Sequence, residues 1–126
     1  MKLHSAVVTA ADYGRLNVIN VLVRDPRFDP SEQDCFLFRW AARHGSLELV
    51  QTLIQDPRVN PAIKNNDAVL SAIRNGRIEV VRFLLKDPRV ELVPDENLLV
   101  YVARCGFADM VELLLELSKE DEFEVV

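Results

Sequence analysis

Glycine is scarce in this chain: four of 126 residues, at Gly14, Gly45, Gly76 and Gly106. No two of them are close enough to form a glycine-rich loop around a phosphate, and no Gly-x-Ser-x-Gly elbow is present to expose a nucleophilic serine. Cysteine is scarcer still. Cys35 and Cys105 follow no CxxC or Cys/His ligand spacing, which excludes a disulfide framework and points to reduced thiols in an intracellular setting, cytoplasmic or nuclear. His4 and His44 are the two histidines, too few for a zinc site, which needs three or four ligands. No apolar run approaches the roughly 18–20 residues that cross a bilayer. The short apolar stretch from Leu3 to Ala11 carries His4, Ser5 and Thr9, unlike the core of a signal peptide. A basic excess is also missing: 15 Lys and Arg stand against 20 Asp and Glu, a net charge of −5, which counts against nucleic acid as a partner. Much of that acidity is terminal, in Glu116, Glu120, Asp121, Glu122 and Glu124. These absences leave no catalytic constellation, metal or cofactor site, so the expectation is a protein that is not an enzyme.

The few glycines are evenly placed, at intervals of 31, 31 and 30 residues. Asp-Pro-Arg recurs at 25–27, 56–58 and 87–89, and Pro30 and Pro61 share one phase. Three and four positions before each glycine stand Ala10-Ala11, Ala41-Ala42, Ala72-Ile73 and Val102-Ala103. Five positions after come Ile19, Val50, Val81 and Val111; eight after come Leu22, Leu53, Leu84 and Leu114. Such a period marks a repeat array.

Each column has a physical cause. Apolar residues before each glycine recur at helical spacing, and a second apolar stripe follows it, as in Leu47, Val50, Leu53 and Ile54. The unit is therefore helix, turn, helix. Glycine suits the left-handed position that ends the first helix. Asp34, Asn65 and Asp95, eleven before their glycines, are expected to cap that helix. Glu48, Glu79 and Asp109 fall in the first turn of the second helix, where the helix dipole favours an acid. Asp-Pro then stops the second helix. Helices of about a dozen residues are marginal alone in water, so stacking of neighbouring pairs is the expected source of stability. The units are about 1–24, 25–55, 56–86 and 87–118, followed by an acidic tail over 119–126.

The run Trp40-Ala41-Ala42-Arg43-His44-Gly45-Ser46-Leu47-Glu48-Leu49-Val50 resembles the ankyrin repeat, and it recurs from Ser71 to Leu85. Thr9–Val23 and Tyr101–Leu115 are degraded copies. The family's Thr-Pro-Leu-His box is missing, its period of about 33 is shortened, and Asp-Pro-Arg replaces its Gly-Ala-Asp stretch. A tight proline-bound turn is thus expected instead of a β-hairpin finger. This short form resembles arrays found in large DNA viruses of amoebae and in protists. The resemblance implies an all-α solenoid of four helix-turn-helix units that binds a protein through its concave groove; a monomer is expected, with neither a membrane nor a nucleic acid as partner. In a viral setting the partner would be a host protein in the host cytoplasm.

The family's exposed first-helix positions map to Asp12-Tyr13, Arg43-His44, Arg74-Asn75 and Arg104-Cys105. Stacked repeats would set Arg43, Arg74 and Arg104 in a column, with Arg39 near it. Guanidinium forks suit the carboxylates of an acidic partner segment; a solvated column repeated by duplication is the alternative. Trp40 and Tyr101 share a column; packing is expected for Trp40, and Tyr101 is left as a partner contact. Arg27, Arg58 and Arg89 are expected to tie each turn to a neighbour. The ending Phe123 to Val126 has the form that PDZ-type domains bind, and equally that of an ordinary frayed terminus. The competing functional class is an assembly subunit that associates with itself through a solenoid end.

Overall fold

A computed structural model describes the backbone of residues 1–125 and the side chains of residues 1–119. Among the described residues there are eight helices: α1 (His4–Asp12), α2 (Leu16–Leu22), α3 (Glu32–His44), α4 (Leu47–Ile54), α5 (Ile63–Arg74), α6 (Ile78–Leu85), α7 (Glu96–Cys105) and α8 (Ala108–Val125). No strand occurs among the described residues. The helices pair as α1/α2, α3/α4, α5/α6 and α7/α8, and the pairs stack in sequence. First helices lie side by side, α1 on α3, α3 on α5 and α5 on α7. The second helices touch more sparingly.

The glycine columns end the first helices. In each unit the residue after the glycine donates its N–H to the carbonyl five positions back, as Ser46 does to Ala41 at 2.9 Å and Arg77 to Ala72 at 2.8 Å. This is the Schellman closure, which needs a left-handed residue at the glycine. Gly45 has φ +75° and Gly76 has φ +71°. Both are also covered by the next unit. A Cβ on Gly45 would meet Arg77 Cδ at 2.7 Å, and one on Gly76 would meet Phe107 Cζ at 2.9 Å. Glycine therefore serves both the turn and the joint between units.

The Asp-Pro-Arg turns close as tight loops. Phe28, Val59 and Val90 each donate N–H to the Asp carbonyl three residues back at 3.0 Å. Those three side chains are buried beneath the turns. In each turn the arginine folds back on its own aspartate: Arg27 Nε and Nη2 reach Asp25 at 2.9 and 2.7 Å. Arg58 and Asp56 make the same fork at 3.1 and 2.8 Å, as do Arg89 and Asp87 at 3.0 and 2.7 Å. Arg58 also pairs with Asp29 of the preceding unit at 3.5 Å, and Arg89 reaches the Val59 carbonyl at 3.4 Å. The fork holds these aspartates below the usual carboxylate range; Asp56 is lowered to about 2, chiefly by the side-chain bonds from Arg58.

The entry to the first helices differs from the sequence expectation. Asp95 caps α7 as expected, with extended backbone and its carboxylate accepting from the Leu98 N–H at 2.8 Å. Asp34 and Asn65 do not cap. Each sits in a left-handed turn, with Gln33, Asp34 and Cys35 at φ 49°, 55° and 56°, and Lys64, Asn65 and Asn66 at φ 56°, 55° and 64°. The right-handed course of α3 and α5 begins only after these residues. The fourth unit is one residue shorter at this point, with Pro94 before Asp95, and it enters its helix through an ordinary cap.

The core follows the repeat columns. Val7, Phe38 and Val69 align, as do Ile19, Val50 and Val81, and all six are at most 1% exposed. Each such side chain contributes about 1.5–3 kcal/mol relative to exposure. No polar or charged residue among those described is fully buried. Helix α8 continues through Val125, past position 119, where the acidic tail was expected to start. The side chains of 120–126, which include Glu120, Asp121, Glu122 and the Phe123 to Val126 ending, lie outside the described residues.

Candidate functional site

The face formed by the first helices carries the candidate residues, and the structure separates those engaged by the fold from those left unbonded. Arg39 is engaged. Its guanidinium donates to the carbonyls of Asp34 at 2.9 Å and Gln33 at 3.1 Å, which belong to the left-handed turn, and pairs with Asp67 of the next unit at 3.5 Å. His44 stacks on Trp40 with ring centroids 4.4 Å apart, and its Nδ1 lies 2.9 Å from the Trp40 carbonyl. Trp40 itself is buried, as its packing role requires. Asn75 donates from Nδ2 to the Ser71 carbonyl at 2.7 Å, closing the end of its own helix.

Arg43, Arg74 and Arg104 are exposed at the ends of α3, α5 and α7 and form no ion pair among the described residues. The turn arginines Arg27, Arg58 and Arg89 all do. Arg15, Arg24, Arg77 and Arg82 are likewise exposed without an ion pair among the described residues; of these Arg15 and Arg77 share a column, one after the glycine, and Arg77 is bonded through Nε to the Arg43 carbonyl at 3.1 Å. Arg104 lies over the ring of Tyr101, 5.6 Å from its centroid, which fixes its guanidinium by cation–π attraction.

Arg74 and Tyr101 meet in one cleft of about 430 Å³ between α5 and α7, under the loop that carries Glu91, Leu92 and Val93. Leu70 and Leu98 supply apolar wall, and Asn66 lies beside them. Asn66 Nδ2 donates to the Glu91 carbonyl at 3.0 Å, while its buried Oδ1 has no partner among the described residues. Sequence reasoning missed Asn66, Leu70 and Leu92, because the loop that folds over them belongs to the following unit. Asp12 and Tyr13 stand apart. Tyr13 is 69% exposed and borders a different depression, at the N-terminal end of the array.

Among the described residues the site is thus a row of cations without ion pairs beside a half-apolar cleft. No group of three His, Cys, Asp or Glu side chains among the described residues is placed to hold a metal ion. No helix among them is long and apolar enough to cross a membrane.

Comparison with known proteins gives a match to the family described as ankyrin repeats, three copies, over residues 7–94. The match runs from within α1 through α6 and the turn after it; α7 and α8 lie beyond it. No curated protein and no solved structure matches the chain.

Proposed function

Since the chain belongs to the ankyrin-repeat family, whose members are generally protein–protein interaction modules and typically not enzymes, we propose that it binds a partner protein through its first-helix face. An acidic segment of that partner lies along Arg43, Arg74 and Arg104, with an apolar side chain of the segment in the cleft between α5 and α7. The observation that carries this reading is the contrast among the arginines. Those of the turns, and Arg39, are bonded to the fold, whereas the three in register on one face form no ion pair among the described residues. Exposed guanidiniums offer paired donors to carboxylates without a folded-state ion pair to give up. The net charge of −5 argues against a nucleic acid as the occupant.

The setting proposed is intracellular, which agrees with free thiols at buried Cys35 and exposed Cys105. The short Asp-Pro-Arg form resembles arrays of large DNA viruses and protists; in a viral setting the partner would be a host protein.

The test is affinity capture with the wild-type chain and with the Arg43→Glu, Arg74→Glu, Arg104→Glu variant. Proteins retained by the former and lost from the folded variant support the reading. An unchanged set of captured proteins removes it.

A further inference from the structure

The two ends of the array are unlike each other and complementary. In the second, third and fourth units the residues eight before and four after each glycine are buried: Leu37, Ala68 and Leu98 in one column, Leu49, Val80 and Met110 in the other. In the first unit the same positions are Ala6 and Val18, and both are exposed. With Thr9, Tyr13 and Arg15 they line a shallow, largely apolar depression. Leu16 and Val21 are exposed in the same unit, at 38% and 64%. An outer face of this kind is not the polar cap that ends a solenoid in water.

The far end shows the reverse pattern. Three before the glycine, Ala11, Ala42 and Ile73 are buried in the first three units. Ala103, their counterpart in the last unit, is exposed. Leu115 is 43% and Val100 54% exposed. Gly106 is open as well. Arg77 covers Gly45 and Phe107 covers Gly76, whereas at Gly14, where the next unit offers only the small Ser46, and at Gly106 nothing among the described residues lies within 4 Å of where a Cβ would be.

We infer that the N-terminal end of one molecule stacks on the C-terminal end of a second copy of this chain, in the register of the internal joints. Arg15 occupies the position of Arg77. Arg77 lies over Gly45 and donates from Nε to the Arg43 carbonyl at 3.1 Å. Arg15, which forms no ion pair among the described residues of its own molecule, then lies over Gly106 of the second copy and donates to the Arg104 carbonyl. Val18 and Ala6 cover Ala103 and its neighbours. Charge favours this partner. Residues 1–24 hold three bases and one acid, whereas residues 87–118 hold two bases and seven acids. Two N-terminal ends would meet with like charge; an N-terminal and a C-terminal end meet with opposite charge. A head-to-tail contact of this kind is heterologous and leaves both outer ends free to add further copies. It takes the place of the monomer expected from the sequence.

The experiment is sedimentation velocity of the full chain over a concentration series, with circular dichroism to confirm folding. Wild type is expected to grow past a dimer as concentration rises. Val18→Glu blocks one end and Ala103→Glu the other, and each variant alone is expected to stay monomeric. An equimolar mixture of the two should form a one-to-one dimer and stop there, since each contributes one intact end. Arg15→Glu and Leu115→Glu serve as second variants for the two ends if either of the first fails to fold. A wild type that stays monomeric throughout overturns the inference. So does an Ala103→Glu chain that dimerises by itself, which would mean that two N-terminal ends pair.

Discussion

Gly76 and Gly106 share a backbone conformation, with φ +71° and +79°, but not an environment. A Cβ at Gly76 would press on the Phe107 ring, whereas at Gly106 it would enter open space. Alanine at Gly106 should therefore cost only the left-handed term, about 1–2 kcal/mol. Alanine at Gly76 should cost that plus a further ~1 kcal/mol or more of overpacking. Urea denaturation of the two variants reads the difference, and equal losses would mean that the joint yields freely. Lys64 gives a second test at this scale. It is exposed and held at φ 56°, a conformation that disfavours any residue with a Cβ. Lys64→Gly should be more stable than Lys64→Ala by about 1 kcal/mol, the reverse of their order in a right-handed helix. Alanine as the more stable of the pair would contradict a left-handed entry to α5.

The turn between units is the element on which pH acts. Asp25, Asp56 and Asp87 are each bonded by the arginine two residues on, and each carboxyl is held below its ordinary value. A carboxyl with a depressed folded-state pKa stabilises the fold above its unfolded value, near 4, and that contribution is lost as pH falls toward the folded one, about 2 for Asp56. The urea midpoint of the wild type should therefore drop between about pH 4 and pH 2, and an Asp25→Asn, Asp56→Asn, Asp87→Asn variant should drop less over the same window. Parallel pH profiles would show that the forks add nothing to stability. Much at this scale was legible in the sequence. The helix pairs, the glycine closures and the proline-bound turns all rest on local chemistry repeated in register. The left-handed entries were not legible. Asp34 and Asn65 read equally well as caps, because the small polar residues that favour a cap also tolerate a left-handed backbone. The extra residue before those two helices, compared with the Pro94-Asp95 entry, was the signal available. The engagement of Arg39 was hidden for the same reason, since the carbonyls it bonds exist as a pair only in that turn. Nor could a reading of one unit at a time find the cleft at Asn66 and Leu92, which two units build together.

At the scale of the whole molecule, the array offers two kinds of surface from one repeat. Its ends keep the apolar columns that the internal joints bury, which is the basis of the stacking inferred above. Its first-helix face keeps the arginines that the turns do not use. The central claim is that this face recognises an acidic segment, and it can be tested before any natural partner is known. A random peptide display library is selected on the immobilised wild-type chain and, in parallel, on the folded Arg43→Glu, Arg74→Glu, Arg104→Glu variant, and the enriched sequences are read. The account predicts enrichment of Asp- and Glu-rich peptides on the wild type and its loss on the variant. Peptides with no acidic bias, or the same peptides on both proteins, would contradict it.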